Sequence, residues 1–255
     1  DGSSMETVLS NVGNAAFNDP FYGWIDNEQI YFADRNTGIR RIGVNERNLA
    51  LSTSDAKYDY FVQNNRLEYY GNPWQYGAMN ACFAKADGLW YWGKTYGGGG
   101  IFRFAESDIS PVDISRGTNP PYPTIFPDEF VKSFVIDATN QILYAVIRDK
   151  GLYAVPLTDI TANDATKTNT KAESKYLVAS FKSDSEGSVG EYVDVCQMVL
   201  DSSDGSVYFG LRAEEGSSET SGIKRWNPTT KKLETIVSGV NVYGIALNNE
   251  LSNLF

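Results

Sequence analysis

The chain has 255 residues and a formal net charge of −10, with 42 % hydrophobic and 13 % aromatic residues. That composition belongs to an ordered chain long enough to bury one large core, and the acidic balance argues against nucleic-acid binding, which needs a basic footprint. Histidine is absent, which excludes His-based triads, the usual His metal ligands and His pH switches. No run of 18 apolar residues occurs, so no membrane-inserting helix is expected.

Taken in chain order, one pattern keeps returning. It consists of a short apolar strand, a polar turn, a second strand centred on an aromatic, a loop, then a glycine and a third strand. The first copy runs from Tyr22 to Asp34 and resumes from Gly38 to Ile42. The second runs from Asn80 to Gly93 and from Gly100 to Phe104, the third from Ser133 to Ile147 and from Gly151 to Val155. The fourth runs from Cys196 to Gly210 and from Gly222 to Trp226, and a fifth opens at Tyr243. Tyr31, Tyr91, Tyr144 and Tyr208 share one register, spaced by 60, 53 and 64 residues. The pairs Asn27-Glu28, Asp87-Gly88, Asn140-Gln141 and Asp204-Gly205 fall where tight hairpins would turn. Gly38, Gly100, Gly151 and Gly222 each open a third strand.

A fourth strand is expected after each third one, most clearly over Lys232–Val240, and Met5–Val12 is a near copy of that segment. Four antiparallel strands per unit, repeated radially, is the plan of a β-propeller. The expectation is therefore an all-β fold. Residues 1–255 would form a single β-propeller domain of five blades, mostly of four antiparallel strands, closed by the N-terminal strand. The fifth blade would lack its third strand after Phe255; either it is three-stranded or the sequence is a fragment of a larger ring. Thr158 to Lys175 reads as a helical turn or a loop. Cys82 and Cys196 fall on first strands two blades apart, so both read as small buried hydrophobes rather than a disulfide.

The first copy resembles the repeat of NHL-type propellers, with the related Tyr-Trp-Thr-Asp propellers close to it. The residues that carry the resemblance are Asn18, Asp19 and Pro20, Gly23, Asp26, Ile30 to Asp34, Asn36 and Gly38 to Ile42. The second copy keeps Asn72 and Pro73, Gly77 and Leu89 to Trp92. Later copies keep the tyrosines and glycines. Such propellers include both binding modules and enzymes, so the resemblance implies a fold and no catalytic residue.

In a propeller, the connections from outer strand to next inner strand and from second to third strand open on one face, where ligands usually sit. Trp74, Tyr76, Tyr122, Phe126 and Tyr192 are assigned to outer-to-inner connections, and Tyr96 to a second-to-third connection. These six are the candidate ligand-binding residues, since aromatics on loops stack on sugar rings or anchor a protein. The plain alternative is that they fill gaps between blades. The stretch from Arg116 to Phe130 holds four prolines and reads as a stiff loop walling a pocket, or as a connector. Gly97 to Gly100 lacks the Lys-Ser/Thr and helix of a phosphate loop and reads as a hairpin tip. Asp201 to Gly205 lacks EF-hand spacing and reads as a turn.

Acids such as Asp128, Glu129, Glu191 and Asp194 are candidate acid/base groups expected near the same face. Three functions compete on this basis. The first is a non-catalytic extracellular or cell-envelope binding or scaffold module for glycan or protein. The second is a carboxylate- or calcium-dependent hydrolase of lactonase type. The third is a structural assembly domain of a surface protein. No cofactor is called for under the first; calcium is the ion the acidic loops would accept.

Overall fold

The computed structural model describes residues 6–7, 9–11, 20–34, 38–51, 58–63, 83–93, 100–105, 124–127, 129, 131–147, 150–160, 170–180, 193–213, 221–242 and 244–247. Short alternating or continuous apolar runs bounded by turn-forming residues put most of these segments into strands. Among them are four four-stranded antiparallel sheets. Blade 1 holds β2 (Pro20–Asp26), β3 (Gln29–Asp34), β4 (Gly38–Gly43) and β6 (Tyr58–Gln63). Blade 2 holds β7 (Phe83–Ala86), β8 (Leu89–Gly93), β9 (Ile101–Ala105) and β10 (Thr124–Ile125). Blade 3 holds β11 (Val131–Asp137), β12 (Ile142–Ile147), β13 (Gly151–Pro156) and β14 (Leu177–Ser180). Blade 4 holds β15 (Val193–Leu200), β16 (Val207–Ala213), β17 (Gly222–Asn227) and β18 (Lys232–Ser238). Two further strands, β1 (Leu9–Asn11) and β5 (Leu49–Leu51), pair with each other in parallel.

The fold is an all-β propeller of four blades, which corrects the expected five. Among the described residues the fifth copy adds no strand: residues 244–247 contain none. Instead the chain turns at Gly239, whose N–H donates to the Ser221 carbonyl, and Val242 is buried against Gly210 of β16. The expected closure by the N-terminal strand is also corrected. β1 enters no blade; Leu9, Ser10 and Asn11 pair with Leu49, Ala50 and Leu51, in the connection between β4 and β6. The Asn48 N–H donates to the Thr7 carbonyl, and Arg47 is ion-paired to Glu6 at 2.7 Å. The likeness of Met5–Val12 to Lys232–Val240 is one of strand propensity, which selects extended backbone but not its partner.

The blades stack by a repeated rule. In each blade the register tyrosine faces forward, opposite a first-strand residue and a third-strand residue. The rows are Trp24–Tyr31–Arg41, Ala84–Tyr91–Arg103, Val135–Tyr144–Ala154 and Val199–Tyr208–Arg225. The neighbouring row faces backward and packs on the preceding blade. Trp90 of blade 2 meets Trp24 and Tyr31 of blade 1 at 5.4 and 4.8 Å between ring centroids. Leu143 and Val155 of blade 3 share a buried cluster with Tyr91, Ile101 and Ile125 of blade 2. Val207 and Trp226 of blade 4 share another with Tyr144, Val146 and Leu152 of blade 3. Area removed from water at these three junctions is the main stabilising term of the fold.

The third-strand glycines have a specific physical cause. A Cβ on Gly151 would collide with the Ala179 carbonyl, one on Gly222 with the Val237 carbonyl, and one on Gly100 with the carbonyls of Ile125 and Phe126. All three are at positive φ. In blades 1, 3 and 4 the fourth strand carries an extra residue next to this point, at Phe61, Val178 and Ile236. That bulge bends the outer strand over the glycine.

Candidate functional site

The strand ends decide where each connection emerges. The segments leading into β4, β9, β13 and β17, and those leading from an outer strand to the next inner strand, emerge at the same end of the blades. Trp74 and Tyr76 fall between β6 and β7, Tyr96 between β8 and β9, and Tyr192 between β14 and β15. All four residues lie outside the described residues. So does Tyr122, and its connection differs from the expected one. β10 lies inside the proline-rich stretch and pairs Thr124 with Phe102 and Ile125 with Ile101. Tyr122 therefore belongs to a third-to-fourth-strand connection.

Phe126 is described, and it is fully buried. It follows the outer strand at φ 58°, packs on Tyr153 at 5.6 Å, and donates its N–H to the Thr170 carbonyl at 2.7 Å. Its ring is a plug between blades 2 and 3. Thr170 in turn forms a parallel bridge with Ile125, closing the long segment after β13 onto blade 2. Two short 3-10 turns, Leu157–Asp159 and Ser174–Tyr176, start and end that segment, in keeping with the turn expected near Thr158 to Lys175.

At the same end, Lys150 reaches across from blade 3 to Glu129, Nζ to Oε1 at 2.5 Å, and the Glu129 carbonyl accepts the Gly100 N–H at 2.9 Å. Of the four acids singled out, Glu129 is thus held in an ion pair between two blades. Asp128 and Glu191 lie outside the described residues, and only the backbone of Asp194, on β15, is described. Burial pushes the Tyr153 hydroxyl up, Lys150 pulls it back and Glu129 adds to the rise.

The opposite end carries side-chain-capped turns. The Asp137 carboxylate accepts the Asn140 N–H at 2.9 Å and its side-chain amide at 2.7 Å. Asp201 accepts the Ser203 N–H, and Asp204 accepts the Ser206 N–H and hydroxyl. Arg225 donates to Asp204 at 2.6 Å and stacks over Tyr208 at 5.7 Å. Burial works to raise the Asp204 carboxyl, but the Ser206 bonds and the Arg225 guanidinium outweigh it and hold it below the usual range. Asp201 to Gly205 is therefore a turn, as the spacing indicated. Only blades 1 and 2 turn in two residues, at Asn27-Glu28 and Asp87-Gly88; blades 3 and 4 use four and six. Tyr144 faces Ala154 where other blades have Arg, and burial, with Asp137 adding, pushes its hydroxyl up to about 12.

Among the described residues no three acids or cysteines converge as a metal cage, and no helix is long and apolar enough to cross a membrane. No protein-family model matches the sequence, and no curated protein matches it. Several solved structures are similar in shape. An endo-arabinase from Bacteroides thetaiotaomicron is 13 % identical, over 92 % of this chain and 84 % of that one, with a TM-score of 0.45. A quinonprotein alcohol dehydrogenase-like protein from the same organism is 16 % identical over 80 % of this chain, with a TM-score of 0.39, and the match spans 42 % of its length. The computationally designed Ika4 protein is 9 % identical over 88 % of this chain and 99 % of its own, with a TM-score of 0.39. None of these likenesses bears on chemistry; the propeller arrangement rests on the four sheets themselves.

Proposed function

We propose that this chain is a non-catalytic binding module of the extracellular space or cell envelope that holds a glycan or protein ligand with loop aromatics. The observation that carries the reading is connectivity: the segments bearing Trp74, Tyr76, Tyr96 and Tyr192 all emerge at one end of the blades. Flat aromatic side chains offer large contact area at low ordering cost and stack on sugar rings. Of the four acids assigned to that end, the one whose side chain is described, Glu129, is tied to Lys150. A net charge of −10 favours a neutral glycan or a basic protein over an anionic ligand.

A glycan array probed with the purified chain, with and without calcium, tests the reading, followed by titration of tryptophan fluorescence with each hit. Trp74→Ala and Tyr76→Ala should each weaken binding about tenfold or more, about 1.4 kcal/mol, with an unchanged melting temperature. Unchanged binding in both variants, or release of reducing sugar from a bound polysaccharide, would overturn it. Binding only with calcium would keep the module and add the ion as its cofactor.

A further inference from the structure

Asp-Gly pairs stand at residues 1–2, 87–88 and 204–205, and the structure describes the second and the third. An Asp-Gly peptide bond is open to backbone rearrangement, because glycine has no side chain to shield its nitrogen from the carboxyl before it. The reaction needs three local conditions. The carboxyl must be free to swing, the glycine N–H must be unengaged, and the peptide plane must be able to turn its nitrogen toward the aspartate Cγ.

Asp87-Gly88 meets all three. It is the whole loop between Ala86 and Leu89, which pair across the β7–β8 hairpin, and both residues are exposed. Among the described residues, none hydrogen-bonds the Asp87 carboxylate or the Gly88 N–H. A Cβ on Gly88 would meet nothing within 4 Å. The φ angles, 52° at Asp87 and 75° at Gly88, are those of a type I′ turn. A five-membered ring through the Gly88 nitrogen needs ψ of Asp87 at about −120°, the value of a type II′ turn, whose first central residue keeps the same positive φ. The two turns differ by a flip of one peptide plane. Here that flip breaks no ladder bond, and glycine accepts the new φ.

Asp204-Gly205 is the same dipeptide with all three conditions removed. Its carboxylate accepts the Ser206 N–H at 2.8 Å, the Ser206 hydroxyl at 2.9 Å and the Arg225 guanidinium at 2.6 Å. Gly205 is buried, and its N–H donates to the Asp201 carbonyl at 2.8 Å. Asp137, Asn140 and Pro228 stand within 3.5 Å of where its Cβ would lie. We propose that Asp87-Gly88 is a site of spontaneous isomerisation to isoaspartate, and that its turn protects Asp204-Gly205 from the same fate. The Gly88 nitrogen attacks Cγ of the protonated Asp87 carboxyl; the N–Cγ bond forms, the Cγ–OH bond breaks, and the hydroxyl leaves as water with the amide proton. A water molecule then opens the ring at either carbonyl. Opening at the main-chain carbonyl leaves the chain running through Cβ, with no net change in composition. The added backbone methylene lengthens a two-residue turn, so Ala86 and Leu89 lose their register. The same hairpin carries Trp90 into the junction between blades 1 and 2.

The test is to hold the purified chain for several weeks at body temperature in mildly acidic buffer, folded in one arm and unfolded by urea in the other, then cut it with trypsin. Peptides 86–94 and 183–212 carry the two sites. Chromatography separates the forms of equal mass, and electron-transfer fragmentation places isoaspartate at Asp87 or at Asp204. In the folded chain Asp87 should convert about tenfold faster than Asp204 or more, because the second site reacts only through local opening of its turn. In urea the two rates should draw level, since the turns that set them apart are gone. An Asp87 rate no faster than that of Asp204 in the folded chain would overturn the proposal. So would a gap that persists in urea, which would trace to neighbouring residues rather than to the turns.

Discussion

Gly222 stands at φ 154° with the Val237 carbonyl where its Cβ would lie, and Gly88 stands at φ 75° with open space around it. Both tolerate positive φ at little cost, but for different reasons. Gly222→Ala must push the outer strand of blade 4 away and should cost about 3 kcal/mol, the scale of overpacking. Gly88→Ala meets only the left-handed backbone penalty and should cost about 1 kcal/mol. Urea unfolding of the two variants measures the difference; equal costs would mean that the outer strand does not press on the glycine. The recurrence of Gly38, Gly100, Gly151 and Gly222 was legible in the sequence, because the repeat aligned them. The reason was not, since the carbonyl that forbids a side chain at Gly100, Gly151 or Gly222 comes from 15 to 28 residues further on, and at Gly151 and Gly222 it is brought there beside a bulge with no local signature. Phe126 stayed open between ligand contact and gap filler for a similar reason: an aromatic beside prolines reads the same whether it points at solvent or at Tyr153.

At the scale of elements, the second and third strands of every blade were legible from the tyrosine register and the turn residues. What escaped was pairing. β10 is two residues long inside a proline-rich stretch, too short for any periodicity to show, and missing it moved Tyr122 to the wrong connection. β1 had the right composition and the wrong assigned partner. The junction between blades 1 and 2 shows which contacts hold elements together. Trp90 is fully buried against Trp24 and Tyr31, whereas the Lys85–Asp26 pair beside it is about 30 % exposed on each side chain. Loss of a buried indole leaves a cavity and costs about 3–5 kcal/mol; loss of a half-exposed ion pair costs up to about 1 kcal/mol. Trp90→Ala should therefore lower the unfolding free energy several times more than Asp26→Asn. Comparable losses would place the junction's stability in its charges.

Over the whole molecule, β12 is the strand that joins the cores. Leu143, Ala145 and Ile147 point into the cluster shared with blade 2, and Tyr144 and Val146 into the cluster shared with blade 4. Each is at most 2 % exposed. Opening β12 breaks both clusters at once, so its amides should exchange with solvent only through global unfolding. β18 forms the outer edge of blade 4, with mostly exposed side chains, and can fray while both clusters persist. Hydrogen exchange followed by mass spectrometry should therefore find the slowest amides at 143–147 and much faster ones at 232–238. Leu143→Ala should cost about 2–5 kcal/mol and speed exchange in blades 2, 3 and 4 together. Acceleration confined to blade 3 would mean that the blades open one at a time, as independent repeats do, and that the shared clusters do not couple them.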